Sequence, residues 1–334
     1  MKKLLSLGLA LTLLLGLIPF QVQAAEPKVV SVAMGQRHQL AVYDDGALYA
    51  WGWNASGQVG NGQNETVQSA KKILDNVASA AASRHNSFAI QKNGTLWGWG
   101  KNEYGQLGAG YKSGKFGWEF SEGDSNTPVQ IMTDAKAVVP DYDGSYILVI
   151  KTDNSLWGFG SNKSNRMTVN QNNEFLEPHK IMDDVAFAAC NHNANVAIKT
   201  DGTLITWGFN GGLPPSGTNG NLDTVITEVM ADVASVYIGN GFALAVKTDG
   251  TLWSWGKNSD GELGIGTPDK SIKYHGLNKV MDSVATVTIG ERNVYAIKTD
   301  RSLWAWGRNN FYQLGNGTTD NQGIPNKVLD NVLS

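Results

Sequence analysis

One segment recurs six times along the chain: Leu48-Tyr49-Ala50-Trp51-Gly52, Leu96-Trp97-Gly98-Trp99-Gly100, Leu156-Trp157-Gly158-Phe159-Gly160, Leu204-Ile205-Thr206-Trp207-Gly208, Leu252-Trp253-Ser254-Trp255-Gly256 and Leu303-Trp304-Ala305-Trp306-Gly307. Its second aromatic falls at 51, 99, 159, 207, 255 and 306, giving spacings of 48, 60, 48, 48 and 51 residues. Nine of the eleven tryptophans occupy these slots, and only Trp53 and Trp118 lie outside them. A fixed period of this length marks a chain built from stacked supersecondary units, none of which can bury its faces alone.

Each copy contains four short pieces. An apolar run such as Val233 to Ile238 is followed by a polar loop and a second run, Ala243 to Val246, which leads into Asp249-Gly250, a tight-turn pair. The Leu-Trp-x-Trp-Gly strand comes next, and a longer loop ends in a short strand such as Lys279-Val280-Met281. Four short strands without helical periodicity predict one antiparallel propeller blade. The expectation is therefore an all-β propeller of six four-stranded blades, with repeats of about 48 to 60 residues at 29–76, 77–136, 137–184, 185–232, 233–283 and 284–330. The ring is expected to close, with the last strand at Lys327-Val328-Leu329 meeting the first at Val29 to Val32.

The Asp-Gly turn, the Leu-Trp-x-Trp-Gly strand, the Asn two residues beyond its Gly (Asn54, Asn102, Asn162, Asn210, Asn258, Asn309) and the run Gly105-Gln106-Leu107-Gly108 together resemble the repeat of the regulator-of-chromosome-condensation family. The resemblance extends over Val29 to Asp330 and implies a propeller that binds other proteins. Members of the family usually close with seven blades, so a seventh is the alternative to the six counted. Copies three and four depart from the pattern, reading Asn165-Arg166-Met167-Thr168 and Gly211-Gly212-Leu213-Pro214-Pro215 in place of Gly-Gln-Leu-Gly.

Residues 1–24 read as a secretory leader. Lys2 and Lys3 form a positive start, Leu4 to Ile18 an apolar stretch too short for a membrane anchor, and Val22-Gln23-Ala24 a small-residue cleavage site. The expected mature product, residues 25–334, is a single propeller domain exported from the cell. Its lone Cys190 suits an oxidising compartment. Formal net charge, −3 for the whole chain, becomes −5 without the leader lysines. Such a balance lacks the basic footprint that neutralises phosphates, which argues against nucleic acid.

No residue pattern calls for a cofactor or a metal. The histidines His38, His85, His179, His192 and His275 show no metal-ligand spacing; His38, His85 and His192 fall on first-strand loops, where a base or metal would have to be assembled. Asp141-Tyr142-Asp143-Gly144 lacks the later Glu of a calcium loop. An enzyme working at the channel mouth, a lyase or hydrolase, is kept as an alternative that fold cannot decide.

In a four-stranded meander the loops after strands one and three share one rim, and the Asp-Gly turns share the other with the links between blades. All the length variation falls on the first rim, the anatomy of a binding surface on a constant scaffold. The twelve extra residues of copy two also lie there and bring Tyr111, Phe116, Trp118 and Phe120. With Trp53, Arg37, Arg84, Tyr142, Tyr274 and Arg292 they form the candidate contact set, since exposed aromatics and arginines dominate interface energetics. The expected role is a monomeric, non-catalytic, secreted module engaging an extracellular protein, with cell-wall or extracellular polysaccharide as the alternative ligand.

Overall fold

The computed structural model describes residues 26–332, apart from 115–116, 118, 164–165, 169–171, 192–193, 209–225, 268–271 and 273. The expected leader, together with Phe116, Trp118 and His192, lies outside the described residues. No helix among the described residues is long and apolar enough to cross a membrane.

The first repeat folds into β1 (Val29–Met34), β2 (His38–Tyr43), β3 (Leu48–Gly52) and β4 (Val67–Leu74), hydrogen-bonded in chain order. Every adjacent pair is antiparallel. Five more sheets repeat the arrangement, so the described residues form six four-stranded blades, as expected from the six copies.

The recurring residues do local work. At the hairpin between the second and third strands, Asp45, Asn93, Asp153, Asp201, Asp249 and Asp300 each accept the amide two residues on, at 2.8–3.0 Å. The following residue is left-handed in all six, with φ of 88° at Gly46, 82° at Gly94 and 80° at Gly250, and also at Asn154 (63°) and Arg301 (66°), where glycine is absent. The slot asparagine fastens the loop after the third strand: Asn54 Oδ1 accepts from Val59 N (2.8 Å), Asn102 from Leu107 N (3.0 Å), Asn258 from Leu263 N (3.0 Å) and Asn309 from Leu314 N (2.9 Å).

The core is divided among the seams between blades. Directly paired residues share a sheet face, so the second aromatic of each Leu-Trp-x-Trp-Gly strand points toward the preceding blade. Trp99 enters the cluster of Leu40, Val42 and Val59; Phe159 that of Phe88 and Ile90; Trp207 that of Tyr146, Leu148 and Met167; Trp255 that of Val196 and Ile198; Trp306 that of Phe242, Leu244 and Leu263. All five rings are 0–3% exposed. Each contributes about 4–6 kcal/mol of apolar burial. Trp99, Trp207 and Trp306 also donate their indole N–H across the seam, to Gln58 O (2.9 Å), Met167 O (3.0 Å) and Glu262 O (2.9 Å) respectively.

Six blades in a closed ring need six seams, and the described residues show five apolar clusters, each joining consecutive blades. Among the described residues no apolar cluster joins blade six to blade one, as the expected closure requires. Val32 is 66% exposed, whereas residues in the same register of later blades, Ala188, Val236 and Val287, are 3–4% exposed. Val30, Met34 and, in the last strand, Leu329 also face solvent, and Trp51 is half-buried.

The loop after the third strand packs closely on the next blade. Gly57, Gly105 and Gly261 occupy equivalent left-handed positions, and a Cβ there would lie 2.8 Å from Asn126 Cα, 2.5 Å from Leu176 Cδ2 and 2.8 Å from Gly323 Cα, all at the start of the next blade's fourth strand. The sixth blade carries Tyr312 at this place, with φ 60°.

Candidate interaction surface

Backbone hydrogen bonds tie the two sets of unequal loops together. Where it is described, the residue after the Gly that closes the repeated segment donates to the loop after the first strand of its own blade: Trp53 N to Arg37 O (2.8 Å), Lys101 N to His85 O (3.2 Å), Ser161 N to Ser145 O (2.9 Å), Lys257 N to Gly241 O (2.8 Å) and Arg308 N to Arg292 O (2.9 Å). On the opposite rim the hairpin turns bond the links, as in Val77 N to Gly46 O (2.9 Å) and Val284 N to Gly250 O (2.9 Å). One rim is therefore a repeated backbone lattice and the other a varied side-chain surface.

Blades one to three bring four of the candidate residues together. The Arg37 guanidinium lies 5.9 Å from the Trp53 ring centroid, and that ring meets His85 at 5.5 Å with a 58° tilt. Arg84 Nε donates to Gln36 Oε1 of the preceding blade (3.0 Å), while its Nη1 stands 3.6 Å from Asp143 of the following one. Arg84 N also bonds Tyr142 O at 3.1 Å, and Tyr142 is 62% exposed. The arrangement holds long side chains in place before any contact, which lowers the ordering cost of binding.

Beside it is a cavity of about 460 Å³ lined by Arg84, His85, Lys101, Asp143, Ser145 and Arg166, among others. Burial, followed by the charges of Arg84 and Lys101, depresses the His85 pKa to about 4, so near neutral pH the imidazole is uncharged. His38, expected on the same rim, is instead fully buried between blades one and two, and burial with the neighbouring His85 lowers it to about 4. His38 Nε2 lies 2.9 Å from Ser87 Oγ, whose proton is given to Gln58 O at 2.7 Å. That histidine–serine contact is enclosed and its hydroxyl already committed, so it supplies no accessible nucleophile. Asp141 is likewise buried and accepts from Ser145 N at 2.6 Å, a turn role rather than a metal ligand's. Among the described residues no group of three or more metal-ligating side chains converges.

The insertion in blade two is built on a buried ion pair. Lys101 Nζ lies 3.0 Å from Asp124 Oδ2 and also donates to the Glu119 carbonyl. Asp124 Oδ1 accepts from Asn102 N (2.9 Å), and Asn102 Nδ2 donates to Tyr111 O (2.8 Å), so the base of the insertion is pinned to its own blade. Tyr111 remains 43% exposed and Phe120 half-buried.

Two candidates sit elsewhere. Tyr274 is only 8% exposed, under Lys257 Nζ at 5.9 Å from its ring, and offers little surface. Arg292 pairs with Asp260 at 2.9 Å across the seam between blades five and six, away from the cluster. Lys101, Asp124 and Arg166 were not singled out from the sequence. The position after the strand's last Gly, which holds Trp53 in one copy and Lys101 in the next, was the available signal for Lys101.

Blades of this construction, with constant turns on one rim and side-chain variety on the other, define a repeat propeller scaffold. The chain belongs to the regulator of chromosome condensation (RCC1) repeat family: two models of that repeat match residues 29–58, 77–106 and 233–262, and 45–90, 93–139, 249–297 and 300–332. Over 49 residues it is 47% identical to the ultraviolet-B receptor UVR8 of Arabidopsis thaliana, a match spanning 14% of this chain and 11% of that protein. Among solved structures, Prp20p of Saccharomyces cerevisiae superposes with a TM-score of 0.69 at 21% identity, covering 91% of this chain and 77% of that one. Human WBSCR16 gives 0.71 at 19% identity, covering 90% and 82%. These likenesses establish the fold.

Proposed function

We propose that the chain is a secreted, non-catalytic binding module that holds an extracellular protein on the rim formed by the loops after the first and third strands. The observation that carries this reading is the cluster of Arg37, Trp53, Arg84 and Tyr142, drawn from three consecutive blades beside a polar cavity and the pinned insertion. Exposed aromatic and arginine side chains held by one another are the material of interface hot spots. The leader-like residues 1–24 support export. Among relatives, Prp20p is described by its binding to Gsp1p and histones, and yeast RCC1 (Prp20) by its complex with Kap60, which favours a protein as the ligand class.

The test uses the mature chain, beginning at Ala25, as bait for culture supernatant, with captured proteins and polysaccharides analysed separately. A protein that rebinds the wild type and is lost with Arg84→Ala or Tyr142→Ala supports the reading. Retention of polysaccharide alone, or turnover of a captured molecule, contradicts it.

A further inference from the structure

One position in the loop after the third strand does the same small task in four blades. Gln58 Oε1 accepts from Ser56 N (2.9 Å), Gln106 Oε1 from Tyr104 N (2.7 Å), Glu262 Oε2 from Asp260 N (2.7 Å) and Gln313 Oε1 from Phe311 N (2.8 Å), each fastening its own loop. Blade three carries Arg166 at this place, because Asn162 Oδ1 accepts from Met167 N (2.9 Å) as Asn102 Oδ1 does from Leu107 N. A guanidinium has donors and no acceptor, so Arg166 cannot make the bond that its counterparts make. Its backbone stays anchored, with the carbonyl accepting from Asn195 Nδ2 of blade four. The side chain is released for other work.

That side chain lines the cavity of about 460 Å³ in the seam between blades two and three. Its Nε donates to Lys163 O (3.2 Å) and its Nη1 to Ser145 Oγ (3.4 Å), which directs the guanidinium and leaves Nη2 uncommitted among the described residues. No carboxylate among the described residues pairs with Arg166 or with Lys163, which lines the same wall. The nearby acids are matched already: Asp143 by Arg84 Nη1 at 3.6 Å, Glu103 by Lys101 Nζ at 3.8 Å and by Gly117 N at 2.7 Å, and Asp124 by Lys101 at 3.0 Å. Arg84, Lys101, Lys163 and Arg166 thus face three carboxylates, an excess of one positive charge. His85, on the same wall, registers that field, since burial and then the charges of Arg84 and Lys101 lower its pKa to about 4.

The excess selects the ligand. An apolar group would strand the donors of this polar wall. A dianion such as phosphate or sulfate would exceed the excess and meet Asp143 and Glu103. A single carboxylate balances it and fits the planar fork of a guanidinium. Arg84 belongs both to this wall and to the exposed cluster with Tyr142, so a protein lying on the cluster borders the cavity.

We propose that the cavity takes the carboxylate of an aspartate or glutamate side chain of the bound protein, held by Arg166 with Lys163. This rests on the reading that a protein occupies this rim, and it adds the chemistry the partner must bring.

Titration of the mature chain with N-acetylglutamate α-amide, followed by NMR on the backbone amides of Ser145 and Lys163, tests the site without a partner. The probe should shift both signals saturably, its glutamine counterpart should not, and Arg166→Gln should weaken the response at least about tenfold. That variant restores the amide carried by Gln58, Gln106 and Gln313, so its melt should be unchanged or higher. Equal responses to the two probes, an unchanged response in Arg166→Gln, or tighter binding of sulfate than of the glutamate probe overturns the proposal. Should Arg166→Gln not fold, Lys163→Gln must weaken the response, and an unchanged one overturns the proposal. The captured protein separates this from the wider reading. Its loss in Arg166→Gln supports the proposal, whereas loss in Arg84→Ala/Tyr142→Ala with full retention in Arg166→Gln keeps the rim and overturns the carboxylate site. A responsive glutamate probe with no protein captured would uphold the carboxylate site and overturn the protein reading.

Discussion

Lys101 Nζ lies 3.0 Å from Asp124 Oδ2 with side chains only 3% and 0% exposed, making this the buried charge pair on which the blade-two insertion rests. Removing one partner leaves the other charged and enclosed, which costs more than the pair contributes. Asp124→Ala is expected to lower unfolding free energy by about 3–5 kcal/mol in a urea titration, and Lys101→Met with Asp124→Leu to cost less than that single change. A loss under about 1 kcal/mol for Asp124→Ala would show that the pair is solvated.

The open seam gives equivalent tryptophans unequal weight. Trp255 is fully buried against blade four, whereas Trp51, with no preceding blade among the described residues, is half-buried. Trp255→Ala should cost about 3–5 kcal/mol, and Trp51→Ala less than half of that. Equal losses in parallel denaturant titrations would mean that a sixth seam forms in solution.

Acid should weaken the fold through His38. Its folded pKa of about 4 lies below the usual 6.5, so the unfolded chain takes up a proton first as pH falls. Stability from the neutral imidazole is fully present above pH 6.5 and is lost between there and about pH 4, up to roughly 3 kcal/mol. Melting curves of the wild type and His38→Gln across this window check the sign: the variant should show a shallower fall, and an identical slope would assign the acid sensitivity elsewhere.

The blade was legible because its demands are local. A Leu-Trp-x-Trp-Gly strand, a turn with an acid or amide before a left-handed residue, and an asparagine fastening the next loop each act within a few residues, so six copies announced six blades. Contacts across a seam were not legible, since the close fit at Gly57 and Gly261 depends on how near Asn126 and Gly323 come to them in space. The rim was read correctly from strand parity, but individual side chains were not: Tyr274 is buried beneath Lys257, and Lys101 meets an aspartate 23 positions away that no local pattern connects to it.

On the proposed function, the rim of Arg37, Trp53, Arg84 and Tyr142 holds the partner. Calorimetric titration of the captured protein into the wild type, Arg84→Ala/Tyr142→Ala and Asp249→Ala, with melting curves for each, tests it most directly. The double variant should bind at least about 2 kcal/mol more weakly, roughly thirtyfold, with an almost unchanged melt. Asp249→Ala, on the opposite rim, should bind as the wild type does. Normal binding by Arg84→Ala/Tyr142→Ala together with loss of binding in Asp249→Ala would place the partner on the other face and overturn the proposed site.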